Sequence, residues 1–183
     1  METIKLLLGI ICIPVICSSG MPDRHLLTDS LAEEKIRASV LAIAENELGV
    51  RERSGRNDGE RVEIYLKYIG LPKGHAWCGA YTSWVYGQAG LSKPRTGWTP
   101  ALFPANRLTR KPKPADLFGI YFPSLKRIAH TGFVVSIKSD WALTTEGNTN
   151  IEGGREGDGV YKKRRHLRTI AKFANWIGKE NKR

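Results

Sequence analysis

Downstream of residue 17 the chain has one cysteine, Cys78, within Ala76-Trp77-Cys78-Gly79-Ala80. A glycine- and proline-containing loop precedes it, and a run with helical spacing begins at Trp77 or Cys78. That places the thiol at a helix N-terminus, where the partial positive charge of the helix end favours a thiolate. The thiolate is the nucleophilic form of cysteine, so the position suits covalent catalysis. The ordinary alternative is an inert, buried cysteine, and the surroundings must decide between them.

A cysteine nucleophile needs a base. The chain has four histidines, His25, His75, His130 and His166. His25 lies close to the N-terminal apolar run and His166 sits within a basic run, so both are weak candidates. His75, three residues before Cys78, competes as a base, although a loop histidine is often simply solvated. His130 opens the apolar, β-branched run His130-Thr-Gly-Phe-Val-Val-Ser-Ile137, where its ring can face the helix that carries Cys78; otherwise it is a strand-edge histidine bonded to backbone. Glu146 and Asn148 lie two apart, and in an extended segment such residues share a face. A carboxylate beside an imidazole fixes its tautomer and stabilises its charged form. Taken alone, Glu-Gly-Asn-Thr-Asn reads better as a polar turn.

The elements that must position these residues fall into two groups. A first helix is expected over 31–48, with Ser30 and Glu33 at capping-box spacing, Ile36, Val40, Ile43 and Ala44 on one face, and Gly49 as its end. A second spans 59–69, with Asn57 or Asp58 as cap, Val62, Tyr65, Leu66 and Ile69 at i, i+3, i+4, i+7, and Gly70 and Pro72 beyond it. A third runs from Trp77 or Cys78 to Gly90, with Cys78, Tyr81, Val85 and Ala89 along one stripe. The proline-rich, basic stretch 92–114 reads as a loop with one helical turn. Strands are expected at 117–122, 130–137, 141–146 and 160–167, a glycine-rich loop over 147–159, and a last strand or short helix over 167–177. Helices followed by an antiparallel sheet make an α+β domain, with the N-terminal helices packed on the sheet. No internal repeat and no second domain are visible.

The order of the chemical residues adds to this. Trp77-Cys-Gly-Ala-Tyr-Thr-Ser-Trp-Val-Tyr-Gly-Gln-Ala-Gly90, then His130-Thr-Gly-Phe-Val-Val135, then Glu146-Gly-Asn148 resembles the CHAP domains, the cysteine, histidine-dependent amidohydrolases/peptidases. The resemblance covers roughly residues 30–170. It implies a papain-like fold and cleavage of amide or peptide bonds in bacterial peptidoglycan through a thioester acyl-enzyme. Cys78 would be the nucleophile, His130 the base, and Glu146 and Asn148 would assist; His75 becomes a loop residue. Many such domains carry Gly-Asp before the first strand, where this chain has Ala115-Asp116; Asp116 is then a structural turn residue, and Ala115 takes the place of a glycine. No metal or cofactor is implied, and no Cys/His cluster has zinc-site spacing.

Composition bounds the setting. The 183 residues carry 29 Lys and Arg against 18 Asp and Glu, a formal charge of +11. Such a charge favours an anionic partner or serves solubility alone. With the resemblance, the expected partner is peptidoglycan, with other anionic wall polymers, rather than nucleic acid. The run Lys162-Lys-Arg-Arg-His-Leu-Arg168 could grip anionic wall polymers or nucleic acid, but alternation in a strand more often produces a solvated face, the favoured reading. A short polar start, the apolar run 6–16 and the small residues of Cys17-Ser-Ser-Gly20 read as an export leader over 1–20. The apolar run is too short for a transmembrane anchor, and Ile16 before Cys17 is a poor match to lipid attachment. The expectation is therefore an exported monomer, periplasmic or extracellular, with one domain over 21–183. Removing the leader leaves Cys78 alone and excludes a disulfide scaffold. Two other classes remain open: a secreted wall-binding module without turnover, and a cysteine protease acting on proteins.

Overall fold

Helices come first and strands after. The computed structural model describes residues 24–152 and 157–177, with side chains from residue 28 onward; the leader expected over 1–20 lies outside them. Helix α1 is Arg24–Asn46. It begins well before residue 31, because no glycine or proline interrupts it, and Ser30 is therefore an interior residue rather than a cap. Gly49, at φ 91°, lies just past its end. Val40 and Ala44 are fully buried on its inner face, while Arg37 is only 2% exposed. The Arg37 guanidinium donates to Pro114 O at 2.6 Å, Asp116 Oδ1 at 2.8 Å and Glu33 Oε1 at 2.9 Å. These bonds tie α1 to the turn before the first strand. Ala115 takes the left-handed conformation expected of a glycine there, at φ 70°, and Asp116 is the structural turn residue, accepting also from Lys113 N at 2.8 Å.

Helix α2 is Glu60–Tyr68. Its N-cap is Gly59, not Asp58 or Asn57, because the Asp58 carboxylate is engaged by Ser54, which donates from both N and Oγ at 2.9 Å. At the other end Gly70 adopts φ 76°, and Leu71 N–H donates to Leu66 O at 2.9 Å, closing the last turn. Helix α3, Cys78–Gln88, is buried along its whole run from Cys78 to Tyr86. A single apolar stripe thus understates it, since α1, α2 and the sheet surround it. Tyr65 of α2 packs against Trp77, Tyr81 and Trp84 at ring separations of 5.7, 5.5 and 5.2 Å, and Tyr81 and Tyr86 meet the sheet edge-on at Phe133. The loop after α3 holds two short 3-10 turns, Thr99–Leu102 and Ala105–Arg107.

The sheet comprises β1 (Leu117–Phe122), β2 (Arg127–Lys138), β3 (Trp141–Thr149), β4 (Gly159–His166) and β5 (Lys172–Ala174), in the order β4-β3-β2-β1-β5. Every neighbouring pair is antiparallel. The fold is α+β, with three helices and a five-stranded antiparallel sheet among the described residues. Strand β2 starts three residues before His130, and a bulge opposite Ile120/Tyr121 lies just before that histidine. Strand β3 runs through Glu146, Gly147 and Asn148, so the glycine-rich loop starts later than position 147. The stretch 167–177 contains a 3-10 turn, Leu167–Thr169, and then β5, which pairs with β1. Among the described residues no helix is long and apolar enough to cross a membrane.

Candidate active site

Cys78 is the first residue of α3 and is 4% exposed. Its sulfur lies 3.7 Å from Thr99 Oγ1 and 3.9 Å from Ala129 O. Burial alone raises a thiol's pKa; the His130 imidazole, Thr99 and the Gly79 N–H together outweigh it and hold the thiol below its ordinary value. The charge neighbour of the thiol is therefore His130, from the middle of the domain, and not the adjacent His75, which is exposed.

His130 is 8% exposed. Its Nε2 lies 2.8 Å from Glu146 Oε2, which leaves Nδ1 as the nitrogen able to exchange a proton with sulfur. Burial disfavours the imidazolium, but Cys78 and Glu146 more than reverse this and raise the ring to about 9. Glu146 is fully buried, where an unpaired carboxylate would not stay charged. It is charged because Arg165 of β4 grips it with both arms of its fork, Nε to Oε1 at 2.8 Å and Nη2 to Oε2 at 2.6 Å. Thr144 Oγ1 donates to Oε1 at 2.5 Å. Against the burial penalty, Arg165 and His130 hold the carboxyl at about 2. Hydrogen bonds thus join Arg165, Glu146 and His130, and His130 in turn acts on the Cys78 thiol. Gly132, two residues past His130, makes room for it, since a Cβ there would stand 2.7 Å from Thr145 O and 3.0 Å from Glu146 Cγ.

Asn148 departs from the shared-face expectation. The pairing of β3 with β4 shifts after Glu146, and Asn148 sits at φ 56°, so strand alternation no longer governs it. Its Oδ1 accepts from Trp77 N at 3.1 Å and its Nδ2 donates to Asn57 Oδ1 at 3.2 Å. It caps the start of α3 from across the domain and positions Cys78 rather than His130. Glu52, from the polar loop before α2, supports it: Oε1 accepts from Trp77 Nε1 at 2.8 Å, and Oε2 from Asn57 N at 2.8 Å. Neither Arg165, Glu52 nor Thr99 stands out in the sequence. Alternation within the basic run does separate Lys163 and Arg165 from Lys162 and Arg164, but not which carboxylate they meet.

Cys78 opens onto a cleft of about 490 Å³. His75 lines it, as do Leu71, Trp98 and Arg127. The cleft wall abuts α3 very closely at Gly79, where a Cβ would lie 2.8 Å from Gly97 O. Because that neighbour is backbone, it cannot swing aside. Gly79→Ala is expected to lower stability by about 1–3 kcal/mol, the usual cost of overpacking, and to slow Cys78 alkylation by displacing the sulfur. Paired thermal melts and alkylation rates check this; a variant matching the native protein in both would contradict the close approach. Among the described residues no group of three or more His, Cys, Asp or Glu side chains is arranged to hold a metal. In comparisons with known proteins, no family model matches the chain and no curated protein shows significant similarity to it.

Proposed function

We propose that the chain is a papain-like cysteine amidohydrolase of the CHAP type that acts outside the cytoplasm on amide or peptide bonds of peptidoglycan. The observation that carries the reading is the buried Arg165–Glu146–His130–Cys78 relay ending on a cleft. A buried histidine raised to about 9 next to a thiol held below its ordinary value favours a thiolate–imidazolium pair at neutral pH, the resting form of an activated cysteine nucleophile. The +11 charge suits an anionic wall polymer.

The reaction follows from those groups. The thiolate adds to the amide carbonyl, and the oxyanion is received by first-turn amides of α3, including Cys78 N–H, which the helix leaves without internal acceptors. The imidazolium gives its proton to the departing amine, the C–N bond breaks, and a thioester remains. Water then attacks the thioester while His130 takes its proton, returning free acid and the thiolate–imidazolium pair.

Incubating the pure protein with peptidoglycan should release soluble fragments, and their masses identify the bond. New amino termini on stem peptides mean an endopeptidase; stems freed from the sugar mean an amidase. Binding to the wall with no fragment released would replace this reading with a binding module, and cleavage of unrelated proteins but not of wall with a protease.

A further inference from the structure

The cleft above Cys78 carries charge that the hydrolytic relay does not use. Arg95 and Arg127 both line it, and no acidic residue does so among the described residues. Three other arginines drawn into the fold are neutralised by carboxylates: Arg37 by Asp116, Arg61 by Glu47, Arg165 by Glu146. The two cleft arginines are held differently. Arg127 lies 4.4 Å over the Trp98 ring and donates from Nη1 to Ile128 O at 3.2 Å. Arg95 lies 4.6 Å over the Tyr68 ring and donates from Nε to Tyr68 O at 2.9 Å. Rings and carbonyls aim a guanidinium without cancelling its charge. Among the described residues neither arginine forms an ion pair.

The geometry points to a carboxylate-binding subsite in this cleft, formed by Arg127 and Arg95, that selects substrates bearing a carboxylate beside the scissile amide. Guanidinium forks match carboxylates in shape and charge. Leu71 and Trp98 add apolar wall beside them, which suits an acidic residue within a peptide rather than a small inorganic anion. The inference deepens the amidohydrolase reading and rests on it for the word substrate, but the subsite itself can be tested without turnover.

Cys78 supplies the probe. Its thiolate displaces iodide from iodoacetate, which carries a carboxylate, and from iodoacetamide, its neutral counterpart, forming the same C–S bond. The ratio of the two rates in the full chain cancels changes in thiol reactivity and in general access. The charge of His130 attracts iodoacetate in every variant, so the reading is the dependence on arginine. Arg127→Gln and Arg95→Gln are each expected to lower the iodoacetate-to-iodoacetamide ratio about fivefold, the size of one charge pair at ~4 Å in water, and the native ratio should fall as salt is added. A ratio unchanged by both substitutions would overturn the subsite. In a second arm, matched peptides with a carboxylate or a carboxamide next to the cleaved bond should differ in kcat/KM for the native protein and converge for Arg127→Gln. An arginine-dependent ratio with no peptide turned over would support the subsite and count against the hydrolase.

Discussion

Cys78→Ala is expected to abolish amide cleavage, and His130→Ala to lower it by about 10³–10⁴-fold, the upper range for a general acid–base group. The two losses should not add in the double variant, because sulfur and imidazole act as one unit. The pair also dictates the pH dependence. Below the depressed transition of the thiol, the proton returns to sulfur and the nucleophile is lost. Above the raised transition of His130, about 9, the imidazolium is gone and the leaving amine has no proton donor. Activity should therefore form a bell whose limbs belong to the coupled pair. Alkylation of the native thiol should set in below the ~8.5 of a free cysteine. In His130→Ala it should move above that value, because burial, which raises the thiol, is then opposed only by Thr99 and Gly79. His75→Ala should leave both profiles in place. A silent His130→Ala with an inactive His75→Ala would refute the pairing, and native-rate cleavage by Cys78→Ala would refute the nucleophile. Circular dichroism confirms that each variant is folded.

That Cys78 and His130 come together was legible because each sits at a punctuation mark of the chain. Cys78 follows a loop and opens a helix; His130 heads an apolar run. Their helix and strands were legible for the same reason, and the bounds expected for β1 agree with the structure. What was hidden depends on distant pairing. The bulge before His130 and the shift after Glu146 come from strand register, which no local pattern encodes, and the second of these turns Asn148 from the histidine to the helix start. Arg165 was hidden by its company. Five of the seven residues in 162–168 are Lys or Arg, and a solvated face is the economical reading. Half of that reading holds, since Lys162 and Arg164 are exposed. The register Ala142↔Arg165 brings Arg165 within reach of Glu146, and the glycine-rich connection between β3 and β4 conceals that register. The start of α1 was misplaced because Ser30 resembles a cap, yet capping spacing alone cannot stop a helix that nothing upstream breaks.

Arg165→Met is expected to be the most damaging change outside the Cys78–His130 pair. The side-chain stem is kept, but a fully buried carboxylate loses its bidentate partner. Breaking a buried ion pair on one side costs about 3–5 kcal/mol, which for a domain of this size lowers Tm by roughly 6–20 °C. Chemistry should suffer as well, because Glu146 then orients His130 without being oriented itself. The sign of the pH effect separates this positioning role from stability alone. Glu146 is held at about 2, against an ordinary value of 4.5. Its contribution to the native protein is thus fully present above about pH 4.5 and is lost as pH falls through the native-state value near 2. Without Arg165 the carboxyl moves up, so that contribution shrinks, and acid inactivation begins at a higher pH. Arg165→Lys restores a charge but not the fork, and should recover part of the acid limb and part of the rate. Glu146→Gln removes the charge while keeping a hydrogen-bond partner for the imidazole; a loss of about 10–100-fold, as for other outer-shell partners, is expected, smaller than for His130→Ala. The measurements are kcat/KM against pH and melting against pH for all three variants. If Arg165→Met lowers Tm but leaves the acid limb where the native protein has it, Arg165 supports the fold and not the histidine. If the limb moves up and lysine brings it partly back, the relay extends to the fourth strand, and the basic run contributes one of its arginines to the active site.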